Sequence, residues 1–113
     1  MNTMILKGKR ILWKTHKKAD SMTSRFVGIM LQSKVSEPLL FRFPFTFRWQ
    51  IHSYFCPRFD AIFIDGNKNI VDIIAHIQPN MHVTPKKPAR FLVECAPGEA
   101  KRLGLKVQDT LTF

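Results

Sequence analysis

A mainly β domain of the α+β kind, a compact sandwich or barrel-like unit with one or two short helices, is the fold predicted for this chain of 113 residues. Three observations predict it. Phe41, Phe43, Phe45, Phe47, Trp49 and Ile51 all stand at odd positions, the period of a strand that shows rings to one side and Arg42, Thr46, Arg48 and Gln50 to the other. Two apolar runs, 61–64 and 70–77, flank Asp65-Gly66-Asn67-Lys68-Asn69, which has the composition of a hairpin turn. Only two short stretches have helical spacing or helix punctuation.

The elements follow in order. Residues 4–15 predict an opening strand or hairpin, in which Ile11 and Trp13 share a face among Lys7, Lys9, Arg10 and Lys14. Met22, Phe26, Ile29 and Met30 recur at three- and four-residue spacing after a possible cap at Asp20 or Ser21, which predicts a helix interrupted in propensity by Gly28. The aromatic strand comes next, and Pro44, which has no N–H to give a ladder, predicts an edge position or a break there. After the hairpin, a loop is expected from Pro79 to Pro88, and then a strand over 90–95. Pro97 and Gly98 open a second helix with Glu99 in its first turn and Lys101 and Arg102 in its last, the charge order a helix dipole favours. Leu105, Val107, Leu111 and Phe113 predict a last strand bent at Gln108-Asp109.

Length and composition predict one domain, 1–113, headed by a basic strand over 1–18. Apolar residues make up 45% and charged residues 23%, enough to build a core and outside the composition of disordered chains. No apolar run approaches the roughly 18 residues that cross a bilayer. The apolar stretch near the start is too short for a secretory signal, so a cytoplasmic protein is expected. Cys56 and Cys95 are then expected as free, partly buried thiols.

The net charge of +10 is unevenly spread: through Arg58 there are eleven Lys and Arg against Asp20 and Glu37, and beyond it seven against six. Basicity therefore belongs to the first half, where it would attract phosphate, an acidic protein or an anionic membrane.

Five short motifs carry a resemblance: GIM at 28–30, PLLFRF at 38–43, FDAIFIDGNKNIVDI at 59–73, FLVECAPGEA at 91–100 and LGLKVQD at 103–109. In their order and spacing they resemble the uncharacterised prokaryotic family called domain of unknown function 192, over roughly 19–113. The resemblance implies a compact, mainly β domain with one or two short helices and implies no established activity. It places family positions on Gly28 and Met30, on Asp60, and on Glu94 and Gly98. It also brings Arg25 and Glu94 near the loops at 51–60. This chain departs from the family pattern at IHSYFC, 51–56, and at Gln108 before Asp109, so a ligand read by the first stretch would differ.

Several constellations carry possible chemistry. His52, Cys56 and Asp60 recur every four residues, but strand positions four apart lie about 13 Å from each other. A closed zinc site would also need His76 or His82, so no metal or cofactor is expected. Cys56 with His52 as base and Arg58 beside it could form a nucleophile, although no orienting third residue or oxyanion turn accompanies them. Asp60, between an aromatic turn and an apolar strand, would ordinarily brace loop amides, balanced by Arg58 or Arg25; contact with a ligand is the alternative. Lys7, Lys9, Arg10, Lys14, Lys17 and Lys18, with Arg42, Arg48 and His52, form a candidate basic patch, where Trp49 or Tyr54 could stack on unpaired bases.

The reading these residues support is a non-enzymatic binding module, monomeric or weakly dimeric. Its unidentified ligand would sit among Arg25, His52, Cys56, Asp60 and Glu94. A basic nucleic-acid-binding accessory protein is the alternative. A hydrolase or metal-binding protein centred on His52, Cys56 and Asp60 is a second.

Overall fold

The computed structural model describes residues 4–19, 37–54 and 56–113. The helix expected after Asp20, and Arg25 with it, lies outside these residues. Nine strands are described: β1 (Ile5–Lys7), β2 (Arg10–Trp13), β3 (Lys17–Ala19), β4 (Leu39–Phe47), β5 (Ile51–His52), β6 (Phe59–Ile64), β7 (Ile70–Ile77), β8 (His82–Val83) and β9 (Ala89–Cys95). One short helix, α1 (Glu99–Arg102), follows. The fold is mainly β, as the alternation and the turn residues predict.

Strands β3, β4, β9, β6 and β7 form one sheet in that order, with β3 parallel to β4 and every other neighbour antiparallel. Strand β6 lies inside it and all six of its residues are buried, because each of its faces meets a separate apolar layer. On one side Ile62, Ile64, Val93 and Cys95 pack under Ile5, Leu12 and Trp13 of the β1–β2 hairpin and under Ala100, Leu103, Leu105 and Leu111. On the other side Phe59, Ala61, Phe63, Phe41, Phe43 and Leu92 pack with Cys56, and Trp49, Ile51 and Val83 cover them. A sheet buried on both faces explains why residues 61–64 of β6 and 91–93 of β9 read as apolar runs and not as alternations.

The hairpin β6–β7 forms where expected. Its turn is fixed by Asp65, whose Oδ1 accepts the N–H of Asn67 and of Asn69, both at 2.9 Å, an Asx turn that ties the chain to its own backbone. The helix after Pro97 also forms and closes as a Schellman motif: Gly104, at φ 66°, donates to Lys101 O, and Leu105 donates to Ala100 O.

Two expectations are corrected. Ile11 is 46% exposed while both Leu12 and Trp13 are buried, because the β1–β2 register shifts between Ile5 and Leu6 and so ends strict alternation. The chain after Leu105 forms no continuous strand. It touches the rest through isolated bridges, Thr110 with Asn69 and Thr112 with Leu6, and Val107 stays exposed.

The outer edge of β7 is guarded. Ile70 exchanges hydrogen bonds with Gln108 and Asp109, and Asp72 Oδ1 accepts the N–H of Ile73. His76 takes a positive φ of 53° that breaks the ladder.

Candidate functional site

The sharpest departure from the sequence reading lies in β4. Phe41 and Phe43 turn inward as the alternation requires, but Phe45 and Phe47 are 56% and 55% exposed. The register shows why. From Arg42 to Phe47 β4 advances five residues while its partner β9 moves only from Phe91 to Ala89. Pro44, inside this irregularity, supplies the break expected of it. Between these two pairs β4 bulges out of register with β9, and this takes the Phe45 and Phe47 rings out of the core.

These rings remain ordered against one another. Phe43 stacks on Trp49 at 5.3 Å, and Phe45 and Phe47 lie 4.9 and 5.4 Å from Trp49. Phe45 and Phe47 meet edge to face at 6.1 Å, a favoured aromatic geometry. Side chains pin the backbone beneath them: Trp49 Nε1 donates to Phe45 O at 2.8 Å, Arg90 Nε to Phe43 O at 2.6 Å, and Arg48 Nε to Pro85 O at 2.9 Å. That last bond brings Arg48 to the loop holding the exposed Lys86 and Lys87.

The predicted ligand residues are divided between places. Glu94 alternates with Val93 and Cys95 and so faces the aromatic layer, where its strand neighbours are Leu39 and Ala61. Cys56 is buried in the same layer. Burial raises the Glu94 carboxyl to about 8, and burial together with the Glu94 charge raises the Cys56 thiol to about 11. Asp60 points to the opposite side and is wholly buried. Its Oδ1 accepts the N–H of His76 at 2.9 Å, and its Oδ2 accepts those of Gly98 at 3.0 Å and Ala100 at 3.1 Å. Its carboxylate thereby serves as the cap that Gly98, lacking a side chain, cannot provide. His52 is exposed, faces His82 across the β5–β8 ribbon and stacks on Tyr54 at 5.1 Å. The Tyr54 hydroxyl also bonds His82 Nε2.

The thiols are free and lie on opposite faces of the sheet. Cys95 is also raised by burial, with the charge of Asp60 adding to it. A thiol near 11 holds about a hundredfold less thiolate at neutral pH than an ordinary cysteine. Both cysteines of the folded protein should resist a disulfide reagent such as dithionitrobenzoate at pH near 7 and react together on unfolding. Fast reaction of one thiol in the native state would mark Cys56 as an accessible nucleophile.

The N-terminal cations form a separate group, over the opposite face from the aromatic cluster. Lys7 pairs with Asp109 at 3.0 Å and Lys17 with Glu37 at 3.7 Å. Arg10 donates to Leu103 O at 2.8 Å. Lys9, Lys14 and Lys18 are exposed, as is Arg42, which projects from β4 on the side away from Phe41 and Phe43. A recess of about 200 Å³ also opens on this side, with Trp13, Lys14, Glu37, Cys95 and Glu99 in its wall. His52, Cys56, Asp60 and Glu94 do not line it. No group of three metal-ligating side chains occurs among the described residues.

Sequence reasoning missed Ser53. Its hydroxyl donates to Gln78 O at 2.6 Å and accepts from Met81 N at 2.8 Å, holding the 51–56 loop against the 78–83 loop. It also missed that Arg48 reaches the loop of Lys86 and Lys87, since only the fold brings Pro85 to β4.

Sheet, hairpin and short helix together define a small mainly β domain with two separately packed faces and one aromatic end open to solvent. The profile of domain of unknown function 192, described as Uncharacterized ACR, COG1430, matches residues 4–113, and the chain belongs to that family. The match takes in β1 and β2, which lie ahead of the motifs read from sequence. The chain is 32% identical over 117 residues to the UPF0127 protein of Pyrococcus abyssi, covering 100% of this chain and 98% of that protein. It is 33% identical over 112 residues to that of Pyrococcus furiosus, covering 96% and 94%. Two solved structures share its fold. One, from Sinorhizobium meliloti 1021 and described as a "putative transcription regulator", has a TM-score of 0.81 at 23% identity over 87% of this chain and 80% of that one. The other, a protein of unknown function from Novosphingobium aromaticivorans, has a TM-score of 0.81 at 19% identity, covering 88% and 74%. The curated relatives have no assigned function, and among the described residues no helix is long and apolar enough to cross a membrane.

Proposed function

We propose that the protein is a non-catalytic binding module that makes its contacts through the aromatic end of β4. The observation behind this reading is the half-exposure of Phe45 and Phe47 around Trp49, on a backbone held by three side-chain hydrogen bonds. Rings left in water forgo burial worth about 1.5–3 kcal/mol each. A partner that covers them recovers that energy, and clustered exposed rings with cations at their rim are a frequent mark of such a surface. Rigid support lowers the ordering cost of binding. The state of the other candidates favours recognition over catalysis: the Cys56 thiol is held protonated, Glu94 is buried, and each Asp60 oxygen already accepts backbone N–H groups. Two buried, unpaired thiols are also compatible with a reducing, cytoplasmic setting.

The test uses anilinonaphthalene sulfonate, a flat anionic dye. Native protein should enhance its emission, and the double variant Phe45→Ser/Phe47→Ser should lose most of that enhancement while keeping its far-ultraviolet circular dichroism. Equal enhancement in the two proteins overturns the reading.

A further inference from the structure

We propose that the aromatic end of β4 is a stacking platform for single-stranded nucleic acid, its phosphates taken by Arg48, Lys86 and Lys87; this rests on the binding-module reading above. The charge layout selects the partner. Between Glu37 and Asp60, and again between Asp72 and Glu94, the chain contains no acidic residue. These two stretches are neighbours in the fold: β4 pairs β9, β5 pairs β8, and Arg48 bonds Pro85. Apart from Arg42, which projects from the other face, these stretches hold Arg48, Arg58, Lys86, Lys87 and Arg90 and no acidic residue. The Lys7 and Lys17 ammoniums are paired with acids on the opposite side, whereas Arg48, Lys86 and Lys87 form no ion pair among the described residues. Asp72 reaches this loop with a buried carboxylate that accepts the Lys86 N–H at 2.9 Å, so the exposed side chains there are cationic and complement a polyanion.

The rings decide which polyanion. Phe45 and Phe47 stand on alternate residues of one strand segment, and each offers a surface on which an unpaired base can stack without regard to its identity. Bases inside a duplex have no open face, so the site should prefer single strands. A phospholipid surface is the competing anion. The rings argue against it, since both are packed on Trp49 and on each other instead of standing apart as separate side chains to insert.

Fluorescence polarisation of the full chain with labelled oligothymidylate of about 12 nucleotides, at about 50 and about 200 mM salt, is the test. A duplex of the same length and vesicles of equal parts phosphatidylserine and phosphatidylcholine serve as comparisons. The single strand should bind more tightly than the duplex and than the vesicles. Phe45→Ser/Phe47→Ser should weaken binding at least tenfold at both salt concentrations, as stacking is salt-insensitive. Lys86→Gln/Lys87→Gln, at fully surface positions, should reduce the salt slope by about 1.4, the value for two phosphate contacts on a single strand. Equal affinity for the duplex, unchanged affinity in the phenylalanine variant, or vesicle binding that exceeds oligonucleotide binding overturns the inference. If the phenylalanine variant loses the dye enhancement while no oligonucleotide binds, nucleic acid is excluded and the binding surface stands. If the variant keeps the enhancement and no oligonucleotide binds, both readings fall.

Discussion

Asp60→Ala is expected to destabilise the protein by about 4 kcal/mol, a large part of the roughly 5–15 kcal/mol that holds a domain together. The substitution would remove the acceptor for three backbone N–H groups, those of His76, Gly98 and Ala100, at a site with no exposure. Water cannot replace it, and each stranded donor costs about 1–3 kcal/mol. Asp60→Asn keeps one carbonyl oxygen but turns an amide N–H₂ toward a backbone donor, so about half the effect is expected. Thermal unfolding followed by circular dichroism measures both. A melting temperature within about 5 °C of the wild type for the alanine variant would show that the carboxylate does not brace the fold, and would return Asp60 to the candidates for ligand contact.

The second large effect is a dependence on pH. The Glu94 carboxyl is raised by burial from 4.5 to about 8. In the unfolded chain it ionises near 4.5; in the folded chain it keeps its proton until about 8. Across that window the native state binds more protons than the unfolded state, and stability falls as pH rises. The contribution is fully present below about 4.5, and on the order of 4 kcal/mol is lost by about pH 8. Glu94→Gln is nearly isosteric and cannot ionise, so its stability relative to the wild type should rise through the window and level off above it. Urea unfolding of both proteins at several pH values gives the difference directly. Parallel curves for the two proteins would mean that Glu94 is ionised in the native state.

What could be read from the residues alone follows from which physical rules are local. The turn at Asp65–Asn69 is local, since Asp65 bonds amides two and four residues on, and it was legible. So was α1, whose dipole charges and closing Gly104 belong to one short segment. The inward turn of Phe41 and Phe43 followed from strand period. The outward turn of Phe45 and Phe47 did not, because period two specifies opposite faces but not where a partner strand stops. Asp60 was singled out by its setting, yet its three donors come from β7 and from the start of α1, at 16 to 40 residues' separation. The pairing of Arg48 with the Lys86–Lys87 loop has the same non-local origin. His52, Cys56 and Asp60 looked like one constellation at spacing four; in the fold His52 is exposed on β5, Cys56 is buried in the aromatic layer and Asp60 is buried on the opposite side of the sheet.

The blocked rim of β7 bears on how this protein can meet another copy of itself. With Ile70 bonded to the C-terminal segment, Ile73 to Asp72, and His76 turned out of register, an incoming chain finds no run of vacant amides to template upon. Growth of the sheet from one molecule into the next is closed on that flank even at high concentration. Whatever associates there must do so through side chains, in contacts that salt and dilution can reverse.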